Sequence, residues 1–97
     1  MNDILKFIVE FIGTFIFLAT IIVTGSAIPI GIALATSIYW GGSVSGGHFN
    51  PSVSIMMFLN NKINAGQLIY YIVAQILGGI CALMYYKYSR SAGYLKG

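Results

Sequence analysis

The segment Ser43-Val44-Ser45-Gly46-Gly47-His48-Phe49-Asn50-Pro51-Ser52-Val53-Ser54 decides how the chain is read. Two glycines and a histidine lead into an Asn-Pro pair, and the apolar run Ile55 to Leu59 then stops at Asn60-Asn61-Lys62. Asn50 is a strong N-cap residue, and Pro51 suits the first helical position, where its missing N–H costs nothing. A helix over 51–60 rises about 15 Å, half of a bilayer core of about 30 Å. Gly-rich extended backbone followed by a half-length helix describes a re-entrant hairpin over about residues 44–60. Non-helical backbone is tolerated at membrane depth only where it is buried in protein or lines a wet cavity. Something polar must therefore face residues 43–50, and a pore would do so.

Composition puts that hairpin in a membrane. Of 97 residues, 58% are apolar and only 7% are charged, with a mean hydropathy of +0.85. Soluble domains carry about 25% charged residues, so this inventory excludes a soluble enzyme, a disordered segment and an ordinary nucleic-acid binder. The single cysteine, Cys81, excludes an internal disulfide framework and a Cys-based zinc site. No nucleophile–base pair, phosphate loop, metal cluster or cofactor motif is present, so the reading is not an enzyme.

Three segments have the roughly 20 mostly apolar residues that a membrane helix needs: about 4–23, 27–43 and 65–86. Pro29 falls in the first turn of the second span, where it is harmless. The Tyr pairs 70–71 and 85–86, with Tyr88 and Trp40, read as an interfacial aromatic belt. Residues 87–97 read as a polar tail. The first apolar run is too long for a signal peptide and contains Glu10, which favours a retained helix. The expected fold is one all-α membrane domain over 1–97, with three transmembrane helices and one re-entrant half-helix.

A half-helix that starts near the midplane aims its N-terminal N–H groups and positive dipole end at the membrane centre. Carbonyls of the preceding extended segment can line a path, and the Asn50 amide can donate to a passing oxygen while its own oxygen caps the helix. This suits neutral hydrogen-bonding solutes and disfavours cations. Glu10, Thr14 and Phe17 share one helix face at i, i+4 and i+7. Gln75, Gly78, Gly79 and Ala82 give the third span a small-residue face for close packing. A buried carboxylate such as Glu10 is tolerated only when donors surround it.

The run Ser45-Gly46-Gly47-His48-Phe49-Asn50-Pro51-Ser52-Val53-Ser54 resembles the first Asn-Pro-Ala loop of the aquaporin and aquaglyceroporin family. Glu10-Phe11-Ile12-Gly13-Thr14-Phe15-Ile16-Phe17 is similar to that family's first-helix signature, and Tyr71-Ile72-Val73-Ala74-Gln75-Ile76-Leu77-Gly78-Gly79 to its third helix. The resemblance implies that the carbonyls of Gly46, Gly47 and His48 form a hydrogen-bond ladder beside the midplane donor Asn50. Pro51 and Ser52, the latter in place of the usual alanine, would belong to the same lining. Glu10 would accept from the loop backbone and, with Thr14 and Gln75, hold the loop in place.

The resemblance covers only one half of the family's pattern. The inverted second half normally supplies an arginine three positions after its asparagine; the corresponding position is Val53. The outer-constriction aromatic, twenty positions before the asparagine, corresponds to Ile30. A pore of this chain alone would be wider and more apolar there. One half cannot enclose a pore, so the expected partners besides the lipid bilayer are an antiparallel second copy, a higher homo-oligomer, or a separate complementary half. Lys6 and Lys62 fall on one side of the membrane, and Lys87, Arg90 and Lys96 on the other. That near-balance permits insertion in both directions. The expected activity is passive conduction of water or small neutral solutes such as glycerol. Two other readings stand beside it: a non-conducting structural membrane protein, and a small dual-topology proton-coupled transporter using Glu10. The second needs four full spans, and the Asn-Pro-interrupted segment is too short for one.

Overall fold

Each helix starts and stops on signals carried by its own residues. A computed structural model describes residues 2–95; Met1, Lys96 and Gly97 lie outside the described residues, and with Lys96 goes one of the charges counted above. The elements are α1 (Asp3–Thr24), α2 (Ala27–Ser45), α3 (Pro51–Leu59) and α4 (Ala65–Ser91). Asn2 caps α1 by accepting from the Ile4 N–H at 2.7 Å. Asn64 and Gln67 close the start of α4 with a reciprocal capping box at 2.8 and 3.0 Å. The Asn50 side chain accepts from the Ser52 N–H at 2.8 Å, and Pro51 takes the first position of α3. Asn60 caps the other end, followed by Asn61 in left-handed backbone at φ 60°.

Among the described residues, α1, α2 and α4 are long and apolar enough to cross a membrane, whereas α3 has nine residues. Hydroxyls of Thr20 and Thr24 donate back to the carbonyls of Ile16 and Thr20 at 2.8 Å, which satisfies them without water. The chain is an integral, multi-pass membrane protein. Helix α2 runs two residues beyond 43, and α4 continues through Lys87 and Arg90 to Ser91, into the stretch read as polar tail. Nothing between Tyr86 and Ser91 breaks a helix, and Gly93 at φ 82° follows the actual end. The Arg90 guanidinium lies 5.5 Å from the Tyr86 ring, so cation and aromatic share the last turns.

Helix α1 packs between α2 and α4, and α3 packs on α4. The starts of α1 and α4 are tied by a hydrogen bond from Gln67 Nε2 to Asp3 Oδ1 at 3.2 Å, so these two helices run in parallel. Glycine makes the contact close: a Cβ at Gly78 would stand 2.9 Å from the carbonyl oxygen of Phe11. The buried set is largely polar (Glu10, Thr14, Ser45, His48, Ser54, Gln75), while Ile28, Ile32, Ile69 and Met84 are exposed. That distribution inverts a water-soluble protein's and fits a lipid solvent.

The tip of the hairpin sits at mid-depth. Asn50 and Pro51 share a groove with Phe17, Leu18, Gly79 and Ile80, near the middles of α1 and α4. The other end of α3, Phe58 and Leu59, lies with Ala65 and Gln67 at the start of α4. Helix α3 therefore runs from the centre back to the side where α4 begins. One aromatic departs from the belt reading. Tyr71 is 2% exposed and faces the protein, because it lies on the same stripe of α4 as Ala74, Gln75, Gly78 and Ala82.

Candidate functional site

Residues 46–50 are shaped by backbone conformation before any side chain acts. Gly46 ends α2 in the left-handed region (φ 91°), Gly47 continues there (φ 66°), and Phe49 adopts φ 54°. Glycine enters this region without steric cost, whereas Phe49 needs compensation from its surroundings. The path doubles back from α2 and then straightens at Asn50, whose φ of −159° is ordinary extended backbone.

The compensation centres on Glu10, which is fully buried. Its Oε1 accepts from the Phe49 N–H at 2.8 Å and from Gln75 Nε2 at 3.0 Å. Its Oε2 accepts from the Ser45 hydroxyl at 2.7 Å and from the His48 N–H at 3.1 Å. Four donors, two per oxygen, fill the acceptor capacity of a carboxylate and join α1, α2, the loop and α4. Gln75 Nε2 also donates to Ser54 Oγ at 2.8 Å. Ser54 Oγ lies 2.9 Å from His48 Nδ1, a hydrogen bond whose direction follows the histidine tautomer. The Tyr71 hydroxyl donates to the Ser45 carbonyl at 2.6 Å, and its ring centroid stands 4.7 Å from that of His48.

The loop's donors and acceptors are treated oppositely. The N–H groups of Gly46, Gly47, His48 and Phe49 are all taken, by Gly42 O, Ser45 Oγ and the two Glu10 oxygens. The carbonyls of Gly46, Gly47 and His48 accept no hydrogen bond from the described residues. Asn50 uses its oxygen for the cap, which leaves its amide hydrogens free at an exposed position. Pro51 and Ser52 are exposed beside it, and Val53 is half-buried in the first turn of α3. The groove next to this tip has a volume of about 420 Å³ and is lined by Thr14, Phe17, Phe49, Gln75 and Ile76 among others.

Not every residue singled out from sequence meets the loop. Thr14 makes no hydrogen bond among the described residues; its Cβ packs at Gly78, so it seats α1 on α4 one turn beyond the carboxylate. Ile30 is half-buried in the first turn of α2, about 22 Å of helix away from Ser45. Conversely, Ser45, Ser54 and Tyr71 belong to the clamp although the runs that contain them assign them no role. Ser54 lies one helical turn after the Asn50 cap and Tyr71 one turn before Gln75, a spacing that puts each pair on one face.

Comparison with known proteins agrees with this architecture. The family model described as Major intrinsic protein matches residues 4–94. A glycerol uptake facilitator protein-like 6 from Lactiplantibacillus plantarum is 44% identical over 86 residues, covering 79% of this chain and 40% of that protein. Aquaporin Z from Photorhabdus laumondii subsp. laumondii is 38% identical over 72 residues, covering 72% of this chain and 31% of that protein. Aquaporin PIP1-1 from Oryza sativa subsp. japonica is 34% identical over 107 aligned positions, covering 93% and 34% respectively. The chain thus spans well under half the length of these relatives. No solved structure gives a significant match. With three spans, one half-length helix at mid-depth and this family match along almost its whole length, the chain belongs to the major intrinsic protein family.

Proposed function

We propose that this chain forms one half of a passive membrane channel for water or small neutral solutes such as glycerol, rather than an enzyme or a coupled transporter. The carrying observation is the asymmetry of the loop, whose N–H groups are held by protein while three successive carbonyls and the Asn50 amide are left for something else. A solute hydroxyl or a water can donate to the carbonyls of Gly46, Gly47 and His48 and then accept from Asn50. These contacts replace the hydration it loses at mid-depth. The positive end of α3 at the same level disfavours cations. Pro51, Ser52 and Val53 line the tip, Ile30 lies toward the far end of the path, and Glu10 with Gln75 keeps the loop in register. The names of the relatives, a glycerol uptake facilitator and aquaporins, support the same solute class.

The exposed tip calls for a second half opposite it, either an inverted copy of this chain or a complementary unit. Purified chain in phosphatidylethanolamine–phosphatidylglycerol vesicles tests the reading by osmotic swelling. Permeation of water or glycerol well above that of bare lipid is expected. Rates equal to bare lipid would leave a non-conducting structural role. Cysteine labelling from each membrane face separates the two kinds of partner, since an inverted pair exposes the same position on both sides.

A further inference from the structure

The ring of Phe49 occupies a slot that Gly13 leaves open. A Cβ on Gly13 of α1 would overlap the ring, with Cζ at 2.5 Å and Cδ1 at 2.6 Å, whereas a Cβ on Gly41 of α2 would meet Val9 Cγ1 at 2.5 Å and stand in ordinary contact with the Phe49 ring at 3.6 Å. Phe49 is 1% exposed, although Asn50 and Pro51 beside it are exposed. Its backbone is in the left-handed region, which a bulky side chain tolerates only when its surroundings over-determine it. Two independent anchors do so: the N–H on Glu10 at 2.8 Å and the ring in the slot. Gly46 and Gly47 have no side chain to hold, so between α2 and Asn50 only His48 and Phe49 can register the loop against the helices.

From this arrangement we infer that Phe49 is the positioning residue of the solute path, and that the gap at Gly13 is the gauge that sets its depth. The ring fixes how far the loop reaches between α1 and α2, and so where the free carbonyls and the Asn50 amide stand. Its consequence for permeation rests on the channel reading above; its geometric content does not. A methyl in the slot drives the ring out and carries Asn50 with it. Misplacement by about 1 Å can cost as much as 100-fold where geometry sets a rate.

The test is a size swap in the full chain: Gly13→Ala, Phe49→Leu, and the two combined. Leucine lacks Cε1 and Cζ, the two ring atoms nearest the added methyl, and its δ-methyls can turn away from the place where Cδ1 of the ring stands. Hydrogen exchange at the His48 and Phe49 amides, read by NMR in detergent micelles, reports the loop directly. Glycerol and water permeability in the same phosphatidylethanolamine–phosphatidylglycerol vesicles report the path.

Gly13→Ala is expected to speed exchange at those two amides by about tenfold or more, with the rest of α1 and α4 unchanged. It should also lower permeability by about tenfold. The combined variant should return both readouts to within about threefold of the parent. Phe49→Leu alone, which removes ring volume and introduces no clash, should shift the glycerol-to-water ratio and loosen the same two amides. Unchanged exchange in Gly13→Ala, a uniform rise throughout the helices, or failure of the combined variant to restore the amides would overturn the inference. If the parent itself does not conduct, the channel reading fails and the exchange results alone decide the positioning role.

Discussion

Replacing Glu10 by glutamine changes one oxygen atom, and its cost follows from the four donors around it. With its nitrogen toward the Phe49 N–H and Gln75 Nε2, the new amide meets two groups that only donate. Turned over, it meets the Ser45 hydroxyl, which can rotate to accept, and the His48 N–H, which cannot. The second orientation is the better one. It leaves the His48 N–H, and the amide hydrogen facing it, without an acceptor, a loss of about 1–3 kcal/mol at the least. The surviving bonds from Phe49 and Gln75 change from charge-assisted to neutral, roughly 1 kcal/mol each. A neutral amide is less costly to bury than a carboxylate, which offsets part of that sum. The net expectation is a destabilisation of about 2–4 kcal/mol. Glu10→Ala should be worse, because all four donors lose their acceptor. Equilibrium unfolding of micellar protein by SDS titration, followed by circular dichroism, measures both. A Glu10→Gln variant within about 0.5 kcal/mol of the parent, the range of an ordinary surface change, would refute the reasoning.

Three more outcomes follow from other parts of the molecule. Tyr71→Phe removes only the hydroxyl donated to Ser45 O and should lower stability by about 1 kcal/mol in the same titration, whereas Tyr71→Ala should cost about 3–5 kcal/mol through the cavity it opens. Gly78→Ala sets a methyl against the backbone of Phe11 and Phe15 and should destabilise by about 1–3 kcal/mol. Gly31→Ala, with nothing within 4 Å, should be neutral or stabilising by up to about 1 kcal/mol; thermal unfolding of the pair checks the contrast. Asn50→Asp keeps the helix cap but adds negative charge at the tip, so cation leakage from vesicles should rise; unchanged leakage would count against Asn50 lining the path.

Much of the architecture is local and therefore readable in advance. The half-helix is announced by Asn50-Pro51 at one end and Asn60-Asn61 at the other, and the three spans by unbroken apolar runs. A lone carboxylate within an apolar helix tells that donors must collect around it, but not which ones. Ser45, Ser54 and Tyr71 come from three different elements, and only the packing of α2, α3 and α4 about the loop brings them to it. Tyr71 was the harder case, because a tyrosine near the end of a span looks the same whether it faces headgroups or protein. Its alignment with Ala74, Gln75 and Gly78 distinguishes the two. The slot for Phe49 is less legible still, since a glycine of α1, distant in sequence from the loop, makes it and needs no unusual backbone.

The clamp also sets an order of events during biosynthesis. Glu10 and Gln75 are 65 residues apart, so at roughly 5–20 residues per second the carboxylate leaves the ribosome about 3–13 s before its last donor. Ser45, His48 and Phe49 arrive in between, while Ser54 waits for Gln75 as well. Through that interval α1 carries an acidic group with an incomplete shell. The hairpin locks only when α4 arrives, so α4 completes the insertion of α1.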